Sequence, residues 1–251
     1  MNTTGADVGD GVPAASVESV AAGGGTGNGA FGGNLTVASL WHTLLVLVVQ
    51  GVLSYRAAVS FGKVHALVDG NRAGLYERTM VTEWVMLGVV LAGVWWHGSS
   101  LLTVLGERWR SVRYLLRDVG IAVLLLMATI AISSFGRGGG GASAAHSILP
   151  QGRTDTWLWV ALSVTAGICE EAIYRGYLQR QFIAVTKNVP AGIVLSAAAF
   201  GGAHLYQGMA QALKIALLGV VCGIVAYWCK SVRPGMISHA WQDILGGLAQ
   251  H

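Results

Sequence analysis

Charge is what this chain has least of. Asp, Glu, Lys and Arg make up only 11% of its 251 residues, against 53% hydrophobic, whereas a soluble domain carries about a quarter charged. An ordinary soluble globular domain is thereby excluded, and the chain is expected in a membrane. Cysteine is scarce as well. Cys169, Cys222 and Cys229 all lie in or at the edge of apolar blocks, which argues against a disulfide framework and for free buried thiols. Residues 1–34 contain neither Lys nor Arg and show no compact apolar core, so no secretory signal is expected ahead of the first apolar block. A basic stripe is missing too, so the net charge of +4, carried by connecting loops, implies attraction to a lipid surface and no nucleic-acid partner. The glycine run Gly136 to Gly141 lacks the Lys-Ser/Thr pair of a phosphate-binding loop and follows no strand, so it is a linker. No internal repeat is apparent.

What is present is a succession of apolar blocks: residues 39–55, 84–105, 119–135, 157–177, 189–205, 215–229 and 235–249. They predict an all-α, polytopic transmembrane helix bundle of about seven spans. Several blocks are shorter than the ~20 residues of an independent span, which points to tilted or sheltered helices around a common interior. Small residues such as Gly192, Gly201, Gly219 and Gly223 allow close helix approach. The 9 tryptophans lie mostly near block ends, as interfacial anchors do. Lys and Arg flank the second block on both sides, Arg56, Lys63, Arg72 and Arg78 before it and Arg108, Arg110, Arg113 and Arg117 after it, so the positive-inside rule gives no orientation. Trp109, Val112 and Leu116 against Arg110, Arg113 and Arg117 fit either an interfacial helix or a basic loop continuing into the third span.

Four regions follow from these patterns. Residues 1–34 are a Gly/Ala-rich disordered tail, 35–135 a three-span half with the basic segment, 136–155 a Gly-rich linker, and 156–251 the region that carries chemistry.

Within that last region, Glu170 and Glu171 end an apolar stretch that starts at Thr156. An ionised side chain deep in a bilayer costs about 2.5–3.5 kcal/mol even on lenient scales, so such groups are paired, cavity-facing and functional. Glu171 and Arg175, at i and i+4, share a helical face and can pair. Glu170 is left without an ionic partner in its own helix, which makes it the candidate general base. Phe200 to His204 ends the next block, and His239 and Asp243, again i and i+4, share a face in the last. Three helices thus bring carboxylates or imidazoles to membrane depth, which packing alone does not ask for. His42, His65, His97, His146 and His251 lack such company and are read as interfacial, loop or terminal residues. Cys169, a buried thiol with no nearby cation, is not a nucleophile.

Glu170-Glu171 to Arg175 as EExxxR, Phe200 to His204 as FxxxH and His239 to Asp243 as HxxxN/D resemble, in order and spacing, the motifs of the CPBP family of intramembrane proteases. That family includes the type II CAAX prenyl endopeptidases and bacteriocin-immunity relatives. The resemblance covers residues 156 to 251. It implies peptide hydrolysis in a membrane cavity, with Glu170 and His204 activating a water, His239 and Asp243 stabilising the oxyanion, and Glu171 and Arg175 holding the site in shape. The expected partners are a peptide or protein substrate, prenylated or not, and the lipid bilayer of a prokaryotic plasma membrane. No cofactor is required in the favoured chemistry. A divalent metal such as zinc on Glu170, His204 and His239 is the alternative, although no HExxH is present. The rival functions are a non-catalytic immunity or peptide-binding protein of the same fold and a proton-coupled transporter.

Overall fold

The computed structural model describes residues 36–67, 71–106, 109–134 and 148–249. The expected disordered tail, the glycine run, His146 and His251 lie outside the described residues. Every regular element among those described is helical, as the apolar blocks predict. The elements are α1 (Leu40–Leu67), α2 (Arg72–Trp96), the short α3 (Leu102–Leu105), α4 (Val112–Ser134), α5 (Gly152–Glu171), a π-helical segment (Ala172–Leu178), α6 (Gln179–Thr186), α7 (Val189–Ala203), a 3-10 turn (Leu205–Gln207), α8 (Met209–Cys229) and α9 (Arg233–Leu248).

Local chemistry sets several of these boundaries. Asn71 Oδ1 accepts from the Gly74 amide at 2.8 Å and Asn188 Oδ1 from the Ala191 amide at 2.9 Å, so each asparagine caps the helix that follows it. Lys187 and Lys230, in the left-handed conformation, end α6 and α8. Hydropathy misplaces one boundary in particular: the second apolar block starts at Trp84, but α2 already begins at Arg72. Its first turns are polar and are held by the Asn71 cap, which a hydropathy window does not register. The stretch after Trp109 resolves as a basic lead-in to the third span, since α4 runs unbroken from Val112 to Ser134.

Four described helices are long and apolar enough to cross a membrane: Leu40–Val59 within α1, α2, α4 and α8. The protein is an integral membrane protein. The expected count of seven spans is not reached by this measure. Helix α7 is apolar but short, and α5 and α9 carry the ionisable residues, so they depend on neighbours to cover them. Trp41, Trp96, Trp157 and Trp228 project outward, as interfacial anchoring predicts.

The interior is built around α5 and its π-helical continuation. Helix α5 packs between α2 and α9, α7 pairs with α6 and α8, and α9 also contacts α4. One buried apolar cluster joins Val46 of α1, Leu87, Val90 and Val94 of α2, Cys169 of α5, Ile173, Tyr174 and Tyr177 of the π segment and Phe200 of α7. Helix α1 is fixed to it by polar contacts. His42 Nδ1 lies 2.7 Å from Tyr177 Oη, His42 Nε2 3.0 Å from the Val89 carbonyl, and Gln50 Nε2 donates to Tyr174 Oη at 2.7 Å. His42 is therefore a helix-clamping residue, not an interfacial one. The three cysteines are free.

The crossing of α5 and α9 depends on absent side chains. A Cβ on Gly167 would stand 2.7 Å from the Met236 carbonyl oxygen and 2.9 Å from the Ala240 amide, and one on Gly235 would stand 2.6 Å from Glu171 Oε2. Only glycine admits so close an approach. Both contacts lie beside the charged residues.

Candidate functional site

Each predicted site residue reaches the same place from a different element. Glu170 and Glu171 form the end of α5, Arg175 lies in the π segment, His204 follows the last turn of α7, and His239 and Asp243 stand on α9. The π segment begins at the residue after Glu171. Its wider turns let the Gln179 amide reach the Tyr174 carbonyl, which also accepts from Ser196 Oγ at 2.6 Å. All seven residues of the segment are buried. Stretches of this kind recur at functional sites because they displace side chains from an α-helical register.

Glu171 and Arg175 are each 1% exposed, and Arg175 Nη1 lies 3.0 Å from Glu171 Oε1. The approach is a charge contact and not an aligned hydrogen bond, since Nη1 has no hydrogen-bond partner among the described residues. The expected i, i+4 pair is thus formed. The Arg175 guanidinium also lies 4.2 Å over the Phe200 ring centre. Phe200 is shared widely: its ring meets Tyr174 at 4.9 Å, His204 at 4.8 Å and His239 at 6.1 Å, each edge-on.

His239 stands at the centre. Its Nε2 is 3.6 Å from Glu170 Oε2 and 3.5 Å from Asp243 Oδ2, while its Nδ1 is 3.5 Å from Glu171 Oε1. His204 Nε2 stands 4.0 Å from Glu170 Oε1, and its Nδ1 lies 2.9 Å from the Phe200 carbonyl oxygen. A carbonyl only accepts, so Nδ1 carries a proton, and Nε2 is the ring nitrogen turned toward Glu170. Glu170 Oε2 and Glu171 Oε2 are buried and have no hydrogen-bond partner among the described residues. Buried carboxylate oxygens without donors are costly, so this cluster is not optimised for stability alone.

Among the described residues no group of three or more His, Cys, Asp or Glu side chains is arranged to hold a metal ion, and no step below is routed through one.

Two residues near the cluster escape the sequence reading. Glu83 of α2 lies near enough to Glu170 and His239 for their charges to act on it. It stands one residue ahead of the apolar block that starts at Trp84, so it reads as loop. Tyr206, in the 3-10 turn after α7, stacks on His204 at 6.0 Å between ring centres and senses the charges of Glu170 and Asp243. It falls just past the block that ends at Leu205. In both cases the usable signal was a polar or amphipathic residue at the edge of a span.

A helical bundle with carboxylates, imidazoles and a guanidinium gathered in its interior defines an integral membrane protein with an internal polar site. Residues 152–245, which contain all six predicted site residues, match the family model described as Type II CAAX prenyl endopeptidase Rce1-like. This segment is similar to that family, whose name denotes a CAAX-type endopeptidase. Comparison with curated proteins and with solved structures returns no match.

Proposed function

We propose that the protein is an intramembrane endopeptidase that hydrolyses a peptide bond of a membrane-associated substrate, with Glu170 and His204 activating the attacking water. The observation that carries this is the facing of Glu170 Oε1 and His204 Nε2 at 4.0 Å. The gap is too long for a direct hydrogen bond and suits two acceptors that share one water, each about 2.8 Å from it.

The chemistry follows from that pairing. As the water oxygen attacks the scissile carbonyl carbon, its proton passes to Glu170. The carbonyl oxygen becomes an oxyanion, stabilised by an N–H from His239, whose charge and orientation are supported by Asp243 at 3.5 Å. The C–N bond then breaks, and Glu170 returns its proton to the leaving amine. Water and amide become carboxylic acid and amine. Glu171 and Arg175, buried and paired, hold the end of α5 in place and do not touch the substrate. The membrane-embedded site and the family match favour a substrate that reaches the site from the bilayer, of which a prenylated C-terminal peptide is one kind.

The test is cleavage of a panel of quenched-fluorescence peptides, prenylated and unprenylated, by detergent-purified protein, with Glu170→Ala and a chelator as separate arms. Chelator-resistant turnover lost in Glu170→Ala is the expected result. Chelator-sensitive turnover would replace the glutamate-water mechanism with a metal-assisted one. No turnover of any peptide by the folded wild-type protein would overturn the assignment in favour of a peptide-binding or immunity role.

A further inference from the structure

The corner of the bundle where α8 ends and α4 and α9 begin carries charge of one sign. Its assembly is fixed by contacts. The Arg233 guanidinium lies 4.8 Å over the Trp109 ring centre, Trp109 Nε1 donates to Asp118 Oδ2 of α4 at 2.9 Å, and a Cβ on Gly106 would stand 3.6 Å from Ser231 Oγ. The segment ahead of α4 is thereby folded onto the turn between α8 and α9. Helix α9 runs antiparallel to α5, with Gly235 beside Glu171 and the Asp243 carbonyl bound by Trp159, while Tyr76 near the start of α2 meets Trp159 near the start of α5. The corner therefore lies at the opposite end of the bundle from the starts of α2 and α5.

Gathered there are Arg110, Arg113 and Arg117 from the approach and first turns of α4, Lys230 after α8, and Arg233 at the start of α9. All but Arg233 are exposed. Among the described residues a single acid answers them. Asp118 is fully buried, and it is already engaged: its Oδ1 accepts from Arg117 Nε at 3.0 Å and from Arg117 Nη2 at 2.7 Å, and its Oδ2 from Trp109. The other described acids lie on α2, on α5 and at the site described above. Glu107 and Arg108, outside the described residues, bring charges of opposite sign. Arg113 and Arg117, at i and i+4, repel one another on one helix face. The fold nevertheless holds these cations together, which leaves a positive corner for an outside anion to neutralise.

The rings at this corner identify the anion. Trp109 and Tyr114 are each 45% exposed, and Trp228 projects outward from the end of α8. Such rings settle at the headgroup level of a bilayer. The Arg117 guanidinium lies 5.3 Å from the Tyr114 ring centre, as Arg233 lies over Trp109, so the cations are held at that level as well. Guanidinium groups match phosphate oxygens two at a time, and basic pockets between membrane helices suit anionic headgroups.

We propose that this corner binds the phosphate headgroup of an anionic phospholipid through Arg113, Arg117, Lys230 and Arg233. The inference stands apart from the protease assignment and would survive its failure. A lipid held there joins the end of α8 to the starts of α4 and α9, and α9 carries His239 and Asp243.

The experiment titrates the detergent-purified full chain with phosphatidylglycerol and with phosphatidylcholine of the same acyl chains, and reads retained lipid by native mass spectrometry. Arg113→Gln with Lys230→Gln is compared with Arg78→Gln with Arg153→Gln, which removes the same charge from exposed positions at the opposite end. Wild-type protein should hold phosphatidylglycerol about tenfold more tightly than phosphatidylcholine. The first double variant should lose about twentyfold in that affinity, about fivefold per cation, and the second should stay within about twofold of wild type. Because all four side chains are exposed, both variants should melt with the wild type. Arg113→Lys with Lys230→Arg, which keeps both charges, should bind within about threefold of it. Inorganic phosphate, which offers the anion without acyl chains, should not displace the lipid at equal concentration. Equal retention of the two lipids, equal loss in the two glutamine variants, loss in the charge-keeping variant, or displacement by inorganic phosphate would each overturn the proposal.

Discussion

The guanidinium of Arg175 lies 4.2 Å above the ring of Phe200, so the first residue of one motif carries the last residue of another. Arg175 cannot move without Phe200, and Phe200 also abuts His204 and His239. A desolvated cation–π contact contributes about 2 kcal/mol. Phe200→Leu, which keeps apolar volume and removes the ring face, is expected to lower kcat about thirtyfold. Arg175→Lys should lower it at least as far, since an ammonium cannot present a flat face to the ring and reach Glu171 at the same time. Steady-state kinetics on the best peptide of the panel checks both. Phe200→Leu with wild-type kcat would mean that the ring only fills space.

His204 tests the water-sharing arrangement directly. With Nδ1 donating to the Phe200 carbonyl, only Nε2 is available to a water on the Glu170 side. His204→Gln offers no imidazole lone pair there, and kcat should fall by about 10²–10⁴ with KM little changed. A parallel loss in KM and none in kcat would assign His204 to substrate binding.

Much of this site was legible because charge in an apolar run is costly. Glu170, Glu171, Arg175, His204, His239 and Asp243 each stand out from their blocks, and the i, i+4 spacings foretold the contacts of Glu171 with Arg175 and of His239 with Asp243. Three things were not legible, for physical reasons. Hydropathy averages over a window, so it placed the start of α2 after Glu83 and hid a carboxylate one residue outside the block. A π segment leaves the apolar pattern unchanged, because all seven of its residues are buried whichever way they turn. The role of His42 depends on partners in α2 and the π segment, Val89 and Tyr177, far away in sequence. The helical class needed only composition, whereas the number of spans depends on which polar helices are sheltered by others.

Asp243 lies 3.5 Å from His239 Nε2, and the family pattern admits Asn or Asp at this position. What the two side chains share is an oxygen that accepts a hydrogen bond from the imidazole, so that acceptor is the function they supply. Asp243→Asn is expected to keep turnover within about tenfold of wild type, since an oxygen acceptor remains. Asp243→Leu should lose about a hundredfold, because His239 is then neither oriented nor charged. The kcat values of the two variants decide it. Equal loss in both would show that the negative charge itself is required.

The last expectation concerns Gly167, which touches no charged group. A Cβ there would stand 2.7 Å from the Met236 carbonyl oxygen and 2.9 Å from the Ala240 amide, both backbone atoms that cannot rotate away. Helix α9 would have to shift off α5, and it carries His239 and Asp243 with it. Overpacking of this kind costs about 1–3 kcal/mol, and a displacement of about 1 Å in a reacting group costs on the order of a hundredfold in rate. Gly167→Ala should therefore lower Tm by a few degrees, roughly 2–4 °C per kcal/mol, and lower kcat far more than that modest destabilisation explains. Gly246→Ala, on the same helix α9 with open space where its Cβ would sit, should leave both nearly unchanged. Measuring Tm and kcat side by side separates the alternatives. If Gly167→Ala loses stability but keeps its rate, the crossing of α5 and α9 does not set the position of His239.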